Sequence, residues 1–124
     1  MDSISTTTYM LLQYQLSIKL FHWQTHSYAK HVASDNLHQS ISKNIDLIVE
    51  SIQGEHGKRV KFSPSTVLSL DNMSDKSMMA LLKDLKKWLE TDFVKDLSNS
   101  KYLANIRDEL VTSINQTLYL FSLD

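Results

Sequence analysis

The chain has 124 residues, of which 42% are hydrophobic and 22% charged, and its formal net charge is −1. That length suffices for one domain with a modest core, and the near-neutral charge does not favour a protein that binds nucleic acid through a basic surface. The chain contains no cysteine, which excludes disulfides, cysteine-based zinc sites and thiolate chemistry and is typical of a reducing compartment.

Neither a targeting segment nor a membrane span is expected. The first residues do not combine a basic segment with a following apolar run, and no stretch approaches the about 18 apolar residues that a spanning helix needs. We therefore predict an intracellular, cytoplasmic protein.

The spacing of apolar residues predicts four helices and no strands. The predicted helices span Ser5–Gln24, Tyr28–Gln53 and Asp75–Leu97, and a fourth begins after Ser100. Both glycines and the single proline lie between Gly54 and Pro64, so we expect one irregular connection and an end of the second helix at Gly54. Ser74 or Asp71 is expected to cap the third helix.

The first predicted helix is apolar around much of its circumference. One stripe contains Leu12, Leu16, Leu20 and Trp23, and a neighbouring stripe contains Leu11, Tyr14, Ile18 and Phe21. Such a pattern indicates burial against more than one neighbour.

The lengths of the connections predict the topology. Short connections join the first helix to the second and the third to the fourth, which makes each pair antiparallel, whereas the middle connection of about 20 residues can run the length of a bundle. We therefore predict a single all-α domain over residues 1–124, a ferritin-like four-helix bundle with one long crossover between the second and third helices. The sequence contains no Glu-x-x-His tetrad for a metal site inside such a bundle, so a site between subunits is the remaining option.

The second predicted helix has an apolar arc and a polar arc. The apolar arc, which would enter a core, contains Leu37, Ile41, Ile45, Ile48 and Ile52. The polar arc, about 130° further round at about 100° per residue, contains His31, Asp35, Asp46 and Glu50. The polar arc therefore does not face its own core.

Spacing within the polar arc indicates half of a metal site. His31 and Asp35 are four residues apart, as are Asp46 and Glu50, so each pair lies on adjacent turns and can reach one ion. Eleven residues of helix separate the pairs by about 16 Å, whereas metal–ligand bonds are about 2 Å long. If two copies pack antiparallel about a two-fold axis, each His31 end meets the partner's Glu50 end and two equivalent sites form.

These residues, together with the preceding His22-Trp23 pair, resemble the ferroxidase motif of the Dps family, the ferritin-like DNA-binding proteins from starved cells. The resemblance implies that the catalytic metal ligands come from two subunits: His22, His31 and Asp35 of one, and Asp46 and Glu50 of its partner. It also implies that Trp23 lies beside the iron.

The resemblance further implies a function. Fe(II) would be oxidised by peroxide or oxygen, and Fe(III) would be stored as an oxide inside a hollow homo-oligomer of twelve subunits, which protects against oxidative damage. Histidine and carboxylate ligands suit such a centre, although Zn(II) can compete for the same ligands.

Two departures from the family pattern are visible. The loop between His22-Trp23 and His31 is about three residues shorter than usual and lacks the family's glycine. Residues 1–8, MDSISTTT, lack the lysine-rich tail through which many members hold DNA. We therefore expect the iron chemistry without DNA binding.

Two other classes of function remain open. One is a nucleic-acid-binding or compaction protein with a vestigial metal site, which a basic surface would favour. The other is a non-catalytic helical bundle whose polar arc forms a polar or zinc-binding dimer interface, because polar residues opposite a core are the ordinary face of a surface helix. His38 is interpreted as an interface residue rather than a ligand, and His26 as a loop residue.

Overall fold

A computed structural model of the chain contains four helices and describes residues 1–93 and 100–123. The helices are α1 (Ser3–Gln24), α2 (Tyr28–His56), α3 (Asp75–Glu90) and α4 (Lys101–Ser122). Over these ranges the structure is all helical, which confirms the predicted class and number of helices. The predicted end of the third helix at Leu97 is wrong, because α3 ends at Glu90 and Thr91 caps it with a backbone hydrogen bond to Lys87; Leu97 itself lies outside the described residues.

Local capping explains where α1, α2 and α3 begin. The Asp2 carboxylate accepts a hydrogen bond of 2.8 Å from the Ser5 backbone N–H, and Ser27 caps α2 in the same way through Lys30. Ser74 and Ser77 form a reciprocal capping box at α3, which satisfies two backbone donors that a helix leaves unpaired. Of the two caps predicted for the third helix, Ser74 is therefore confirmed.

The end of α2 differs from the prediction. The helix continues through Gly54 to His56 and ends at Gly57, whose φ is 67°. A glycine inside a helix costs only about 1 kcal/mol relative to alanine, whereas the residue that follows a helix often adopts the left-handed conformation, which glycine tolerates best. The second glycine, rather than the first, therefore terminates the helix.

The core lies between all four helices. Helix α2 packs against α1 and α4, and α3 packs against α4 and α1. The five apolar residues predicted to face the core from the second helix are buried, namely Leu37, Ile41, Ile45, Ile48 and Ile52. Within the described residues, no helix combines the length and the apolar character required to cross a membrane.

The two predicted stripes of α1 have different environments. Leu11, Ile18 and Phe21 are buried in the core. The other stripe, Leu12, Leu16 and Leu20, is only half-buried, so α1 keeps an apolar side that its own chain covers only in part.

The connection between α2 and α3 is hydrogen-bonded along α1. The Lys61 N–H donates to the Ser5 hydroxyl over 2.9 Å, and the Tyr9 hydroxyl donates to the Val67 carbonyl over 2.7 Å. Gln13 exchanges two hydrogen bonds of 2.8 Å with the Ser69 backbone. These bonds hold the connection against one flank of α1.

Candidate metal site

The two histidines of the site come from the ends of two consecutive helices. His22 lies in the last turn of α1 and His31 in the first turn of α2. Thr25 ends α1 with a backbone hydrogen bond to Phe21, and only three residues separate the helices. The short turn therefore brings the two imidazoles together.

The His22 and His31 side chains form a stacked pair. Their ring centroids are 3.8 Å apart and the ring planes differ by 17°. Nδ1 of His22 lies 2.8 Å from the His31 carbonyl oxygen, and Nδ1 of His31 lies 2.8 Å from the His22 carbonyl oxygen. Because a carbonyl oxygen only accepts hydrogen bonds, each Nδ1 carries the proton, and in the neutral ring each Nε2 keeps its lone pair.

Asp35 lies beside the Nε2 atom of His22. Its Oδ1 is 4.0 Å from that nitrogen, and its Oδ2 accepts a hydrogen bond of 3.1 Å from the Gln39 side-chain amide. The His22 side chain is 10% exposed and that of Asp35 is 39% exposed. The three predicted ligands of one copy therefore lie at the surface edge of the α1–α2 contact.

Ser34 is a buried polar residue that the sequence analysis missed. Its hydroxyl donates to the His31 carbonyl oxygen over 3.1 Å and lies 3.5 Å from Nδ1 of His22. The carbonyl that orients His22 is thus itself held by a side chain. A serine three residues after a predicted ligand was the available signal, because serine in a helix commonly bonds to the preceding turn.

Asp46 and Glu50 lie farther along α2, where both are exposed. They do not approach His31 or Asp35, since Asp35 and Asp46 are eleven positions apart along one helix. Among the residues that the structure describes, no three His, Cys, Asp or Glu side chains form a group that could hold a metal ion. The predicted ligands of one copy therefore do not form a metal-binding group by themselves, and we refer to His22, His31 and Asp35 as the half-site.

The remaining residues of interest lie around this half-site. Trp23 is 67% exposed, and the Lys19 ammonium lies 5.5 Å from the centre of its ring. His38 is half-buried on α2, and His26 is exposed in the turn between α1 and α2.

Partial burial lowers the pKa of His38 below its usual value, and the nearby Lys19 charge lowers it further. The Asp35 charge raises the pKa of His38, and His22 lowers it. Burial disfavours the charged form of an imidazole. His38 is therefore predominantly neutral at pH 7 and carries no fixed positive charge beside the half-site.

Comparison with known proteins indicates one family. The model of a family described as "Family of unknown function (DUF5856)" matches residues 22–121. No curated protein and no solved structure matches the chain.

The match shows that the resemblance to the Dps family is wrong, because neither that family nor any other ferritin-like family is found. The motif covered about a quarter of the chain and consisted of common polar residues at helical spacing, which exposed helix faces often display. The twelve-subunit cage rested on the resemblance alone and is not proposed here. The geometry of His22, His31 and Asp35 does not depend on the resemblance.

Proposed function

Since the chain belongs to the Family of unknown function (DUF5856), whose description names no activity, we propose a function from the site: two copies bind metal between them and oxidise Fe(II). The ligands would be His22, His31 and Asp35 of one copy, and Asp46 and Glu50 of the other. Fe(II) is the substrate of this reaction and peroxide or oxygen is the oxidant.

The observation that carries the proposal is the reciprocal bonding of the two histidines. Histidines that bind metal almost always donate their other ring N–H to a carbonyl or carboxylate, which fixes the ring and its tautomer. His22 and His31 both meet this condition, with Nδ1···O distances of 2.8 Å. The nearby carboxylate of Asp35 adds an oxygen donor on the same side of His22.

The placement of the carboxylates supports a second copy as the source of the missing ligands. His31 and Glu50 lie at equal distances on either side of the peptide that joins Ser40 to Ile41, and so do Asp35 and Asp46. A two-fold axis through that point would place the Asp46 and Glu50 of the partner subunit opposite Asp35 and His31. Both pairs would then contribute to each of two equivalent sites.

The donor set favours redox chemistry. Imidazole with carboxylate donors and open positions suits Fe(II). In the reaction, two Fe(II) ions each lose one electron, and one peroxide takes both electrons with two protons to give two waters. Because Fe(II) and peroxide are consumed together, the reaction would limit hydroxyl-radical formation. An assembly of copies would retain the Fe(III) product.

The architecture that we propose around this site is a four-helix bundle with one long crossover. Residues 57–74 join α2 to α3, and their hydrogen bonds reach from Ser5 near the start of α1 to Gln24 at its end. This course supports a connection that runs the length of the bundle.

The test is Fe(II) oxidation by purified protein with peroxide or oxygen, together with the mass of the protein in solution. The wild-type chain should oxidise Fe(II) faster than buffer, and His31→Ala should reduce the rate to that of buffer because the site loses an Nε2 donor. His56→Ala is the matched control, since His56 is an exposed histidine at the other end of α2 and should leave the rate unchanged.

Other results would assign the site differently. Tight Zn(II) binding by a dimer that does not oxidise Fe(II) would indicate a zinc-binding interface. A dimer that binds neither metal would indicate a polar contact between copies. Equal oxidation rates for wild type and His31→Ala would reject the proposal.

A further inference from the structure

One side of α1 carries a row of three half-buried leucines. Leu12, Leu16 and Leu20 lie at four-residue intervals, on the opposite side of the helix from the buried Leu11 and Ile18. None of the three belongs to the described side chains that form the core or pack against it. We name Leu12, Leu16 and Leu20 the leucine row.

A contact between α1 and α2 indicates where the leucine row lies relative to the ligands on α2. The Gln15 amide donates to the Ser42 hydroxyl over 2.8 Å, and these antiparallel helices pass each other at that level. The peptide between Ser40 and Ile41 therefore lies near the level of Leu16, within about one helical turn or roughly 5 Å. Leu16 lies within that turn of the height at which the half-sites would place a two-fold axis.

The leucine row is symmetric about Leu16. Leu12 lies four residues before Leu16, and Leu20 lies four residues after it. A two-fold axis at Leu16 would place Leu16 against its own copy and Leu12 against Leu20 of the partner subunit. A surface that contacts itself must be self-complementary in this way.

We infer that the leucine row of α1 packs against the leucine row of a second copy and forms the apolar part of the interface that joins the half-sites. The position of the axis rests on the proposed function, and the leucine row has its centre within about one helical turn of the same height. The metal-type ligands on α2 and the leucines on α1 can therefore be served by one two-fold axis.

Other exposed apolar side chains lie on the same part of the molecule. Trp23, which follows the leucine row on α1, is 67% exposed, and Val67 and Leu70 in the connection along α1 are 70% and 65% exposed. The connection is held in place by hydrogen bonds from Tyr9 and Gln13, so these apolar groups are displayed on an ordered backbone. Apolar patches of this kind mark interaction surfaces, and a second copy covers the patch on both partners at once.

Cysteine cross-linking tests the register directly, because the chain contains no cysteine. The Cα atoms of a disulfide are about 4.4–6.8 Å apart. Leu16→Cys should therefore form a disulfide-linked dimer on mild oxidation with diamide. Leu12→Cys should not cross-link, since the two copies of residue 12 would be about 12 Å apart along the direction of the helices. The double variant Leu12→Cys/Leu20→Cys should cross-link, because residue 12 of each copy would face residue 20 of the other.

A second pair of variants tests the surface without oxidation. Leu16→Asp should shift the wild-type dimer to monomer in sedimentation, because it buries two carboxylates at the axis. Leu47→Asp is the control, since Leu47 is an exposed leucine on α2, outside the leucine row, and should remain a dimer. Circular dichroism of both variants establishes that the helices are retained.

The results separate this inference from the proposed function. Cross-linking through Leu16 in a protein that binds no metal would support the interface and reject the metal site. Metal binding by a dimer that does not cross-link through Leu16, or that survives Leu16→Asp, would overturn the leucine interface and leave the metal site standing. A wild-type chain that is monomeric at all concentrations would overturn the inference outright.

Discussion

The two ring nitrogens of each histidine in the stacked pair have separate roles. Nδ1 of His22 and Nδ1 of His31 are each committed to the carbonyl oxygen of the other residue, so Nε2 is the atom that remains for a ligand. Each ring is therefore oriented by the backbone of the opposite helix. A shift of α1 relative to α2 would break both bonds together, which couples the geometry of the site to the packing of the two helices.

Replacement of Ser34 by alanine should weaken metal binding more than it weakens the fold. Loss of its hydrogen bond to the His31 carbonyl should cost about 1 kcal/mol of unfolding free energy, and the loss of an outer partner of a metal-binding histidine typically costs about 10–100-fold in affinity. Titration with Co(II) or Zn(II), with urea unfolding in parallel, measures both quantities.

The control for this prediction is Ser40→Ala. Ser40 hydrogen-bonds to Ser113 on α4 over 2.8 Å, so its removal should cost similar stability and leave the metal affinity unchanged. Equal affinities for the Ser34 and Ser40 variants would show that Ser34 does not position the histidine pair.

The lowered pKa of His38 predicts a loss of stability in mild acid. Its pKa in the native chain lies below the usual value of about 6.5 because burial opposes protonation. The unfolded chain therefore binds the proton more readily, so this contribution to stability is fully present above the unfolded pKa and is lost as the pH falls through the native pKa.

The measurement is the urea midpoint of wild type and His38→Gln as a function of pH, without metal. The difference between the two should narrow or reverse below about pH 6.5, because glutamine has no proton to bind. An NMR titration that places the native pKa of His38 above that of a model peptide would contradict the prediction.

At the scale of an element, neighbouring residues of α2 lie on different faces of the helix, one buried and one exposed. Ile48 is 0% exposed and Leu47 is 42% exposed. Ile48→Ala should lower the unfolding free energy by about 2–5 kcal/mol, because it removes buried methyl groups and leaves a cavity. Leu47→Ala should cost clearly less, and similar urea midpoints for the two variants would contradict the assignment of the core face.

The period of apolar residues was sufficient to predict the helices but not which apolar face each helix buries. In α2 the polar and apolar arcs are distinct, and the predicted core face is the buried one. In α1 both stripes are apolar, and only the contacts of the other helices decide that Leu11 and Ile18 are buried while the leucine row is not. Tertiary packing also decided the end of α2, where Gly57 rather than Gly54 is in the left-handed conformation.

Prediction of the site was limited in a different way. Helical spacing placed His31 and Asp35 on one face, and a short turn brought His22 to them. The reciprocal carbonyl bonds and the role of Ser34 depend on the offset between α1 and α2, which no local pattern encodes. The family resemblance failed because polar residues at four-residue spacing meet the demands of solvent exposure as well as those of a metal.

At the scale of the whole molecule, a site divided between two copies makes metal affinity and assembly dependent on each other. Metal that binds only the folded dimer stabilises it by about 2.7 kcal/mol at a free concentration 100 times the dissociation constant. Thermal unfolding of the wild-type chain should therefore shift upward with Zn(II) at a fixed free concentration of the metal. Glu50→Gln should remove most of this shift while the apo protein remains a dimer, because the leucine row is intact and only the partner's carboxylate is lost. A shift that is unchanged in Glu50→Gln would show that the partner's carboxylate is not a ligand and that each chain binds metal alone, which the separation of the two ligand pairs along α2 argues against.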